Sequence, residues 1–231
     1  MSATAVMSLS ADVDFAAVLF DLDGTLVDSA PDLAGAANDM RVSRGLDPLP
    51  YALLRPMVGS GARGMVGVAL QVYPGDVDFM ALRDEFLQRY EDRLTRETVV
   101  FFDMQPVLQK LTQSGIVWGI VTNKMTRYAE PLVNALGLHH ASAVLVCGDT
   151  TTHAKPHPAP LIEAAQRVQA QANRCLYVGD DLRDVQAGKA AGMQTAAAAW
   201  GYLGNGDSVH DWGADHLLHQ PQDLLKLLGL P

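Results

Sequence analysis

Two aspartates separated by one residue, Asp21 and Asp23, close an apolar run in the stretch VLFDLDGTLVDS. A strand ending this way delivers two carboxylates to one place. At pH 7 such neighbours stay ionised only with a cation, a shared proton or strong hydrogen bonds beside them. Further along, Thr122, Asn123 and Lys124 follow a second apolar run, Lys155 sits in CGDTTTHAKPHP, and Asp180, Asp181 and Asp184 follow another run in GDDLRD. Asp21 and Asp180 supply hard oxygen donors suited to Mg2+, which keeps several waters and takes its other contacts from one or two carboxylates and a phosphate. An ionised carboxylate in such a place can attack phosphorus and form an aspartyl-phosphate intermediate. Thr122 and Lys155 would then stabilise charge on the phosphoryl oxygens.

These side chains need a scaffold that gathers strand ends. Apolar runs at 17–20, 117–121, 143–146, 175–178, 195–199 and 216–218 read as buried parallel strands, and helical patterns at 106–113, 128–136, 160–170 and 184–191 separate them. The alternation indicates an α/β fold, a Rossmann-like doubly wound parallel sheet, in which ligands bind beyond the carboxyl ends of the strands. Between residues 29 and 98 the alternation stops and the text becomes helical. Ser29 and Asp32 read there as a capping box, with Pro31 in the first turn and Leu33, Ala36, Ala37 and Met40 on one face. The expected organisation is therefore an α/β core of residues 1–28 and 99–231, carrying an inserted all-helical cap domain of residues 29–98 over the first strand's carboxyl end. Phe79, Phe86 and Tyr90 recur at helical spacing and are assigned to the cap core rather than to a dimer contact. Monomer and homodimer both stay open.

The 231 residues carry a formal charge of −9 and no run of Lys or Arg, which argues against a nucleic-acid partner and leaves room for a small phosphate ester. No stretch has the length of a membrane span, and residues 1–14 read as a flexible leader rather than a signal peptide, with Met7 as a second candidate start. Cys147 and Cys175 lie in apolar runs and read as reduced core thiols of a cytoplasmic protein. His139, His140, His153 and His157 match no closed zinc site and read as loop histidines. GYLGNGDS reads as a surface loop. VGSGARGMV lacks the GK[ST] ending of a phosphate loop and reads as a cap turn that faces the crevice, with Arg63 placed to meet an anionic part of the substrate. Thr25, Ser60, Gly61, Arg63 and Asn123 are the candidate substrate contacts.

In order along the chain, DLDGT, the Thr of VTNK, the Lys of KPHP and GDDLRD resemble the haloacid dehalogenase superfamily of phosphohydrolases, over nearly the whole length. The resemblance implies Asp21 as nucleophile and Asp23 as general acid and base, a role that typically contributes roughly 10² to 10⁴ in rate. It also implies Mg2+ held by Asp21, the main-chain carbonyl of Asp23 and Asp180, with Asp181 and Asp184 fixing the metal's waters and orienting Lys155. Asp181 and Asp184 equally suit a helix start, where acidic side chains are favoured. Within the superfamily the chain looks most like the phosphoglycolate phosphatase group. GARGMV, WGIVTNKMTRYAEP and WGAD also resemble phosphatases of N-acetylmuramic acid 6-phosphate, an ester that likewise carries a carboxylate. A sugar-phosphate phosphomutase and a phospho-Asp signalling domain would share the core.

Overall fold

The computed structural model describes residues 15–204 and 206–230; the leader and the choice between Met1 and Met7 lie outside them. Strands β1 (Ala17–Phe20), β4 (Val117–Val121), β5 (Leu145–Val146), β6 (Cys175–Gly179), β7 (Gln194–Ala198) and β8 (His216–Leu218) form one sheet in the order β5-β4-β1-β6-β7-β8. Every pairing is parallel, with Val18 between Trp118 and Leu176 and Phe20 between Ile120 and Val178. Two short strands, β2 (Val27–Asp28) and β3 (Val99–Val100), pair antiparallel where the chain leaves the sheet and returns to it.

The strands are apolar throughout because helices cover both faces. Successive residues point to opposite sides. Val18 and Phe20 join the cluster that holds Leu108 of α5 (Met104–Gln113), Leu132 of α6 (Thr126–Ala135) and Leu224 of α9 (Gln222–Leu227). Ala17 and Leu19 join the other, with Leu161 of α7 (Ala159–Arg167) and Ala187 of α8 (Leu182–Ala190). The expected strand 143–146 shortens to Leu145–Val146, although Ala143 N still donates to Trp118 O and Val144 O accepts from Ile120 N, each at 2.8 Å. No helix among the described residues is long and apolar enough to cross a membrane.

Between β2 and β3 lie α1 (Ala30–Val42), α2 (Tyr51–Leu54), a 3-10 turn (Arg55–Ser60), α3 (Gly61–Leu70) and α4 (Phe79–Glu91). Helices α1, α3 and α4 pack on one another, and Met40, Met65, Phe79, Phe86 and Tyr90 are buried in the same cluster as Phe20 and Leu22 of the core.

The capping box expected at Ser29 and Asp32 does not form. Ser29 makes no side-chain cap bond, and its Oγ donates instead to Asp23 Oδ1 at 2.5 Å. Asp32 Oδ2 accepts from Glu97 N at 3.0 Å, Thr98 N at 2.9 Å and Thr98 Oγ1 at 2.7 Å. Both side chains are drawn away by stronger partners, and the Tyr202 hydroxyl accepts from Ser29 N and Ala30 N. Asp32 therefore ties the entry of the helical insertion to its exit. Replacing it leaves three donors without their acceptor, so Asp32→Ala should lower the unfolding free energy by about 2–3 kcal/mol and Thr98→Val by about 1 kcal/mol. Urea denaturation followed by circular dichroism measures both; a loss in Asp32→Ala no larger than in Thr98→Val would mean that the main-chain donors find other partners.

Candidate active site

Strand β1 ends at Phe20, and Asp21 N still donates to Val178 O at 2.9 Å, so the ladder holds the backbone of Asp21 beside β6. The chain then turns through Gly24 at φ +87°, where a Cβ would run into the Asp180 carboxylate. That close approach lets Thr25 Oγ1 donate to Asp180 Oδ1 at 2.9 Å, while Tyr202 N donates to Oδ2 at 2.7 Å. Asp180 is buried at the end of β6. Burial pushes its carboxyl well above the ordinary range, and the charges of Asp21 and Asp184 push the same way.

Lys155 reaches the same floor from the loop after β5. Its ammonium is buried and lies 2.7 Å from Asp184 Oδ1, 2.9 Å from Asp21 Oδ1, 2.7 Å from the Tyr177 hydroxyl and 3.0 Å from Val121 O. Burial opposes its charge, yet Asp184 and Asp21 outweigh that and raise its pKa. Asn123 fixes the lysine backbone in both directions, accepting from Lys155 N and donating to Lys155 O, each at 2.9 Å. Asp184 Oδ2 accepts from Asp181 N at 3.1 Å, and Asp181 caps α8 and pairs with Arg183 at 2.7 Å. Burial alone would raise the Asp181 carboxyl, but the bonds and charge of Arg183 hold it below the usual range.

Asp21 Oδ1 is buried and, despite the lysine at 2.9 Å, has no partner in hydrogen-bond geometry among the described residues. Burial pushes this carboxyl up to about 6, against the pull of Lys155. Oxygens of Asp21, Asp180 and Asp184 lie within 4.8 Å of one another, the one group of metal-ligand side chains of this kind among the described residues. An all-oxygen donor set with an orphaned carboxylate oxygen fits Mg2+. The four histidines are exposed and take no part, and Cys147 and Cys175 are buried and free.

Asp23 is held separately. Lys124 Nζ lies 2.9 Å and 3.1 Å from its two carboxylate oxygens, and Ser29 Oγ also donates to Oδ1. The Tyr90 ring of α4 stands over that ammonium, 4.7 Å from Nζ to ring centroid. Burial pushes the Tyr90 phenol up to about 12.

Asp21, Asp23, Thr122, Lys155 and Asp180 floor a cavity of about 360 Å³. The helical insertion roofs it with Val58, Ser60, Gly61 and Phe86, and Leu87, Met125 and Tyr128 add an apolar wall. Of the candidate substrate contacts, Ser60, Gly61 and Asn123 line the cavity. Thr25 does not: it is buried and turned onto Asp180. Arg63 is exposed and lies off the lining, because the first turn of α3 directs it outward; the arginine at the cavity is Arg183, which also donates to Gly59 O. The expected surface loop GYLGNGDS is likewise corrected at its start, where Gly201 and Tyr202 are buried against Asp180. Lys124, Tyr90, Arg183 and Tyr202 were not singled out as site residues by the sequence. Lys124 and Arg183 stand inside the motifs, whereas nothing local marks Tyr202.

The family model of haloacid dehalogenase-like hydrolases matches residues 18–198. Phosphoglycolate phosphatase of Xanthomonas campestris pv. campestris is 47% identical over 215 residues, covering 93% of this chain and 97% of its own. N-acetylmuramic acid 6-phosphate phosphatase of Pseudomonas putida is 41% identical over 212 residues, covering 92% and 95%. Among solved structures, a predicted phosphoglycolate phosphatase from Haemophilus somnus superposes with a TM-score of 0.81 at 26% identity, covering 93% and 98%.

Raised carboxyl pKa values mean that the folded protein holds protons which the unfolded chain releases. Without a divalent cation, stability should therefore fall as pH rises from about 4, the unfolded carboxylate value, through about 6. A cation held by the ionised carboxylates acts in the opposite sense. Mg2+ should raise the melting temperature more at about pH 7.5 than at about pH 5, and Asp180→Asn should lose that shift while the metal-free variant melts no lower than wild type. Calorimetry with Mg2+ or EDTA decides; a Mg2+ shift that ignores pH, or survives in Asp180→Asn, would count against these ligands.

Proposed function

Because the chain belongs to the haloacid dehalogenase-like hydrolase family, we propose that it is a phosphatase that hydrolyses a small carboxylated phosphate monoester through an aspartyl-phosphate on Asp21, with 2-phosphoglycolate as the leading substrate. The observation that carries the chemistry is the convergence of Asp21, Asp23, Thr122 and Lys155 on one cavity floor. The substrate assignment is supported by the 47% identical Xanthomonas relative.

Asp21 attacks phosphorus, the bond from phosphorus to the ester oxygen breaks, and Asp23 gives that oxygen its proton. Asp23 then takes a proton from water, whose oxygen attacks phosphorus and releases Asp21 and inorganic phosphate. The charge of Lys155, 2.9 Å from Asp21 Oδ1, favours the ionised nucleophile and, with Thr122, faces the charge that grows on the phosphoryl oxygens. Mg2+, held by Asp21, Asp180 and the main-chain carbonyl of Asp23, would supply positive charge to the phosphoryl group and keep the carboxylates ionised. The helical insertion, residues 29–98, acts as the cap that keeps bulk water out. The free, buried cysteines suit a reducing cytoplasm.

A second substrate, N-acetylmuramic acid 6-phosphate, is favoured by the apolar wall of Phe86, Leu87, Met125 and Tyr128. A two-carbon acid leaves that wall unused, while a sugar ring would pack on it. The 41% identical Pseudomonas relative points the same way.

Steady-state kinetics on both esters with Mg2+, beside Asp21→Asn, tests the proposal. A preference of about a hundredfold in kcat/KM, roughly 2.7 kcal/mol of transition-state discrimination, assigns the substrate. Asp21→Asn should keep less than about a thousandth of the activity, as expected for loss of the nucleophile. EDTA should silence the enzyme and added Mg2+ restore it. Full activity in chelator would remove Mg2+ from the scheme, and free phosphate release undiminished in Asp21→Asn would remove the nucleophile.

A further inference from the structure

Lys124 has no part in the mechanism above, yet it is placed with more care than a bystander needs. Its side chain is 8% exposed, against 22% for Asp23. Its main chain is pinned at both ends: Lys124 N donates to Thr122 Oγ1 at 3.1 Å, and Gly148 N donates to Lys124 O at 2.9 Å. From that fixed point the ammonium meets both oxygens of Asp23, at 2.9 Å and 3.1 Å, while Ser29 Oγ donates to Oδ1 as well. An aspartate in a loop is ordinarily free to turn about its side-chain torsions. One gripped through both oxygens has its plane and its reach restricted, and proton transfer needs a donor held within hydrogen-bond reach of the departing oxygen.

The grip has a lid of its own. Tyr90 belongs to α4 in the helical insertion, and its ring lies over the Lys124 ammonium, where the negative face of the ring attracts the cation and excludes water. The Tyr90 hydroxyl is buried and makes no hydrogen bond of good geometry among the described residues, but it adds a polar interaction with the same ammonium to the contact of the ring.

We propose that Lys124 is a positioning residue that fixes the Asp23 carboxylate for proton transfer to the leaving oxygen, and that Tyr90 makes this positioning depend on the helical layer above it. The inference rests on the reading of Asp23 as the general acid. It differs from a simple charge effect in its consequence. A lysine that only attracts phosphate would help every substrate alike, whereas one that positions a proton donor helps only where the leaving group needs a proton.

The test compares kcat/KM on an alkyl phosphate, whose alkoxide must be protonated as it leaves, with kcat/KM on 2,4-dinitrophenyl phosphate, whose phenolate needs no proton. This constant covers events only through the first bond cleavage, and the ratio of the two values cancels any difference in the folded fraction. Lys124→Met should lower the alkyl-to-aryl ratio by at least about tenfold, within the range of general acid catalysis, and Lys124→Arg should recover part of it. Tyr90→Leu should lower the ratio in the same direction, and Tyr90→Phe, which keeps the ring, should lower it less. Equal losses on both substrates in Lys124→Met would overturn the positioning role. An unchanged ratio in Tyr90→Leu would overturn the dependence on the helical layer. Asp23→Asn, run beside them, should collapse the ratio furthest; equal losses there would place the fault in the assignment of Asp23 and not in Lys124.

Discussion

Four carboxylates, Asp21, Asp23, Asp180 and Asp184, face two buried ammonium groups, Lys124 and Lys155, at the floor of one cavity. With every group ionised, two negative charges are left without a partner, which is the charge that one divalent cation supplies. Burial raises the Asp21 and Asp180 carboxyls because that balance is incomplete within the protein. The site is therefore a set of charges finished from outside. On the proposed function, a phosphate dianion without the cation would add to the repulsion, so metal and substrate would enter as parts of one balance.

Such short separations demand a fold that can enforce them. A parallel sheet sends the carboxyl ends of its strands to one side, and β1 lies between β4 and β6, so the residues after all three strands meet at its centre. Helices on both faces keep the strand backbones dry and their ladders intact, which fixes the heights at which Asp21, Thr122 and Asp180 emerge. Room for the carboxylates comes from glycine. A Cβ at Gly24 or Gly201 would occupy the place of Asp180, and one at Gly179 the place of Asp184.

The parts of this arrangement encoded in local pattern could be read directly from the sequence. Apolar runs and their spacing give the strands, and the residues that follow them give Asp21, Asp23, Thr122, Lys155 and Asp180. Contacts across long sequence separation could not be read in this way. Ser29 and Asp32 have the spacing of a capping box, but partners at Asp23 and Thr98 compete for their side chains, and only the folded chain brings those partners near. Arg63 and Arg183 look alike in sequence, since both stand near the start of a helix. The direction of each helix decides which one meets the cavity, and that direction is set by packing. Tyr202 lies in glycine-rich text that suggests solvent. Its burial follows from the acceptor that Asp180 offers to its backbone and from the donors that Ser29 and Ala30 offer to its hydroxyl.

Links between the helical insertion and the core show the same economy. Arg55 donates to Gly201 O at 3.2 Å and Trp200 O at 3.4 Å and lies over the Tyr202 ring, and Tyr202 in turn holds Asp180. Arg183 joins Gly59 of the 3-10 turn to Asp181, and Tyr90 rests on Lys124. These three contacts from the insertion end on residues that steady an aspartate of the floor. Hydrogen bonds of this partly exposed kind contribute about 1 kcal/mol each, so those at the rim can break and re-form. At its root the insertion is tied by a buried carboxylate with three donors, which is far harder to part. Firm attachment at the root and light attachment at the rim suit the cap role proposed for it. Because the rim contacts end on the supports of the aspartates, lifting the insertion would loosen the floor as well as admit water. On that proposed role, closure and assembly of the site would be one event.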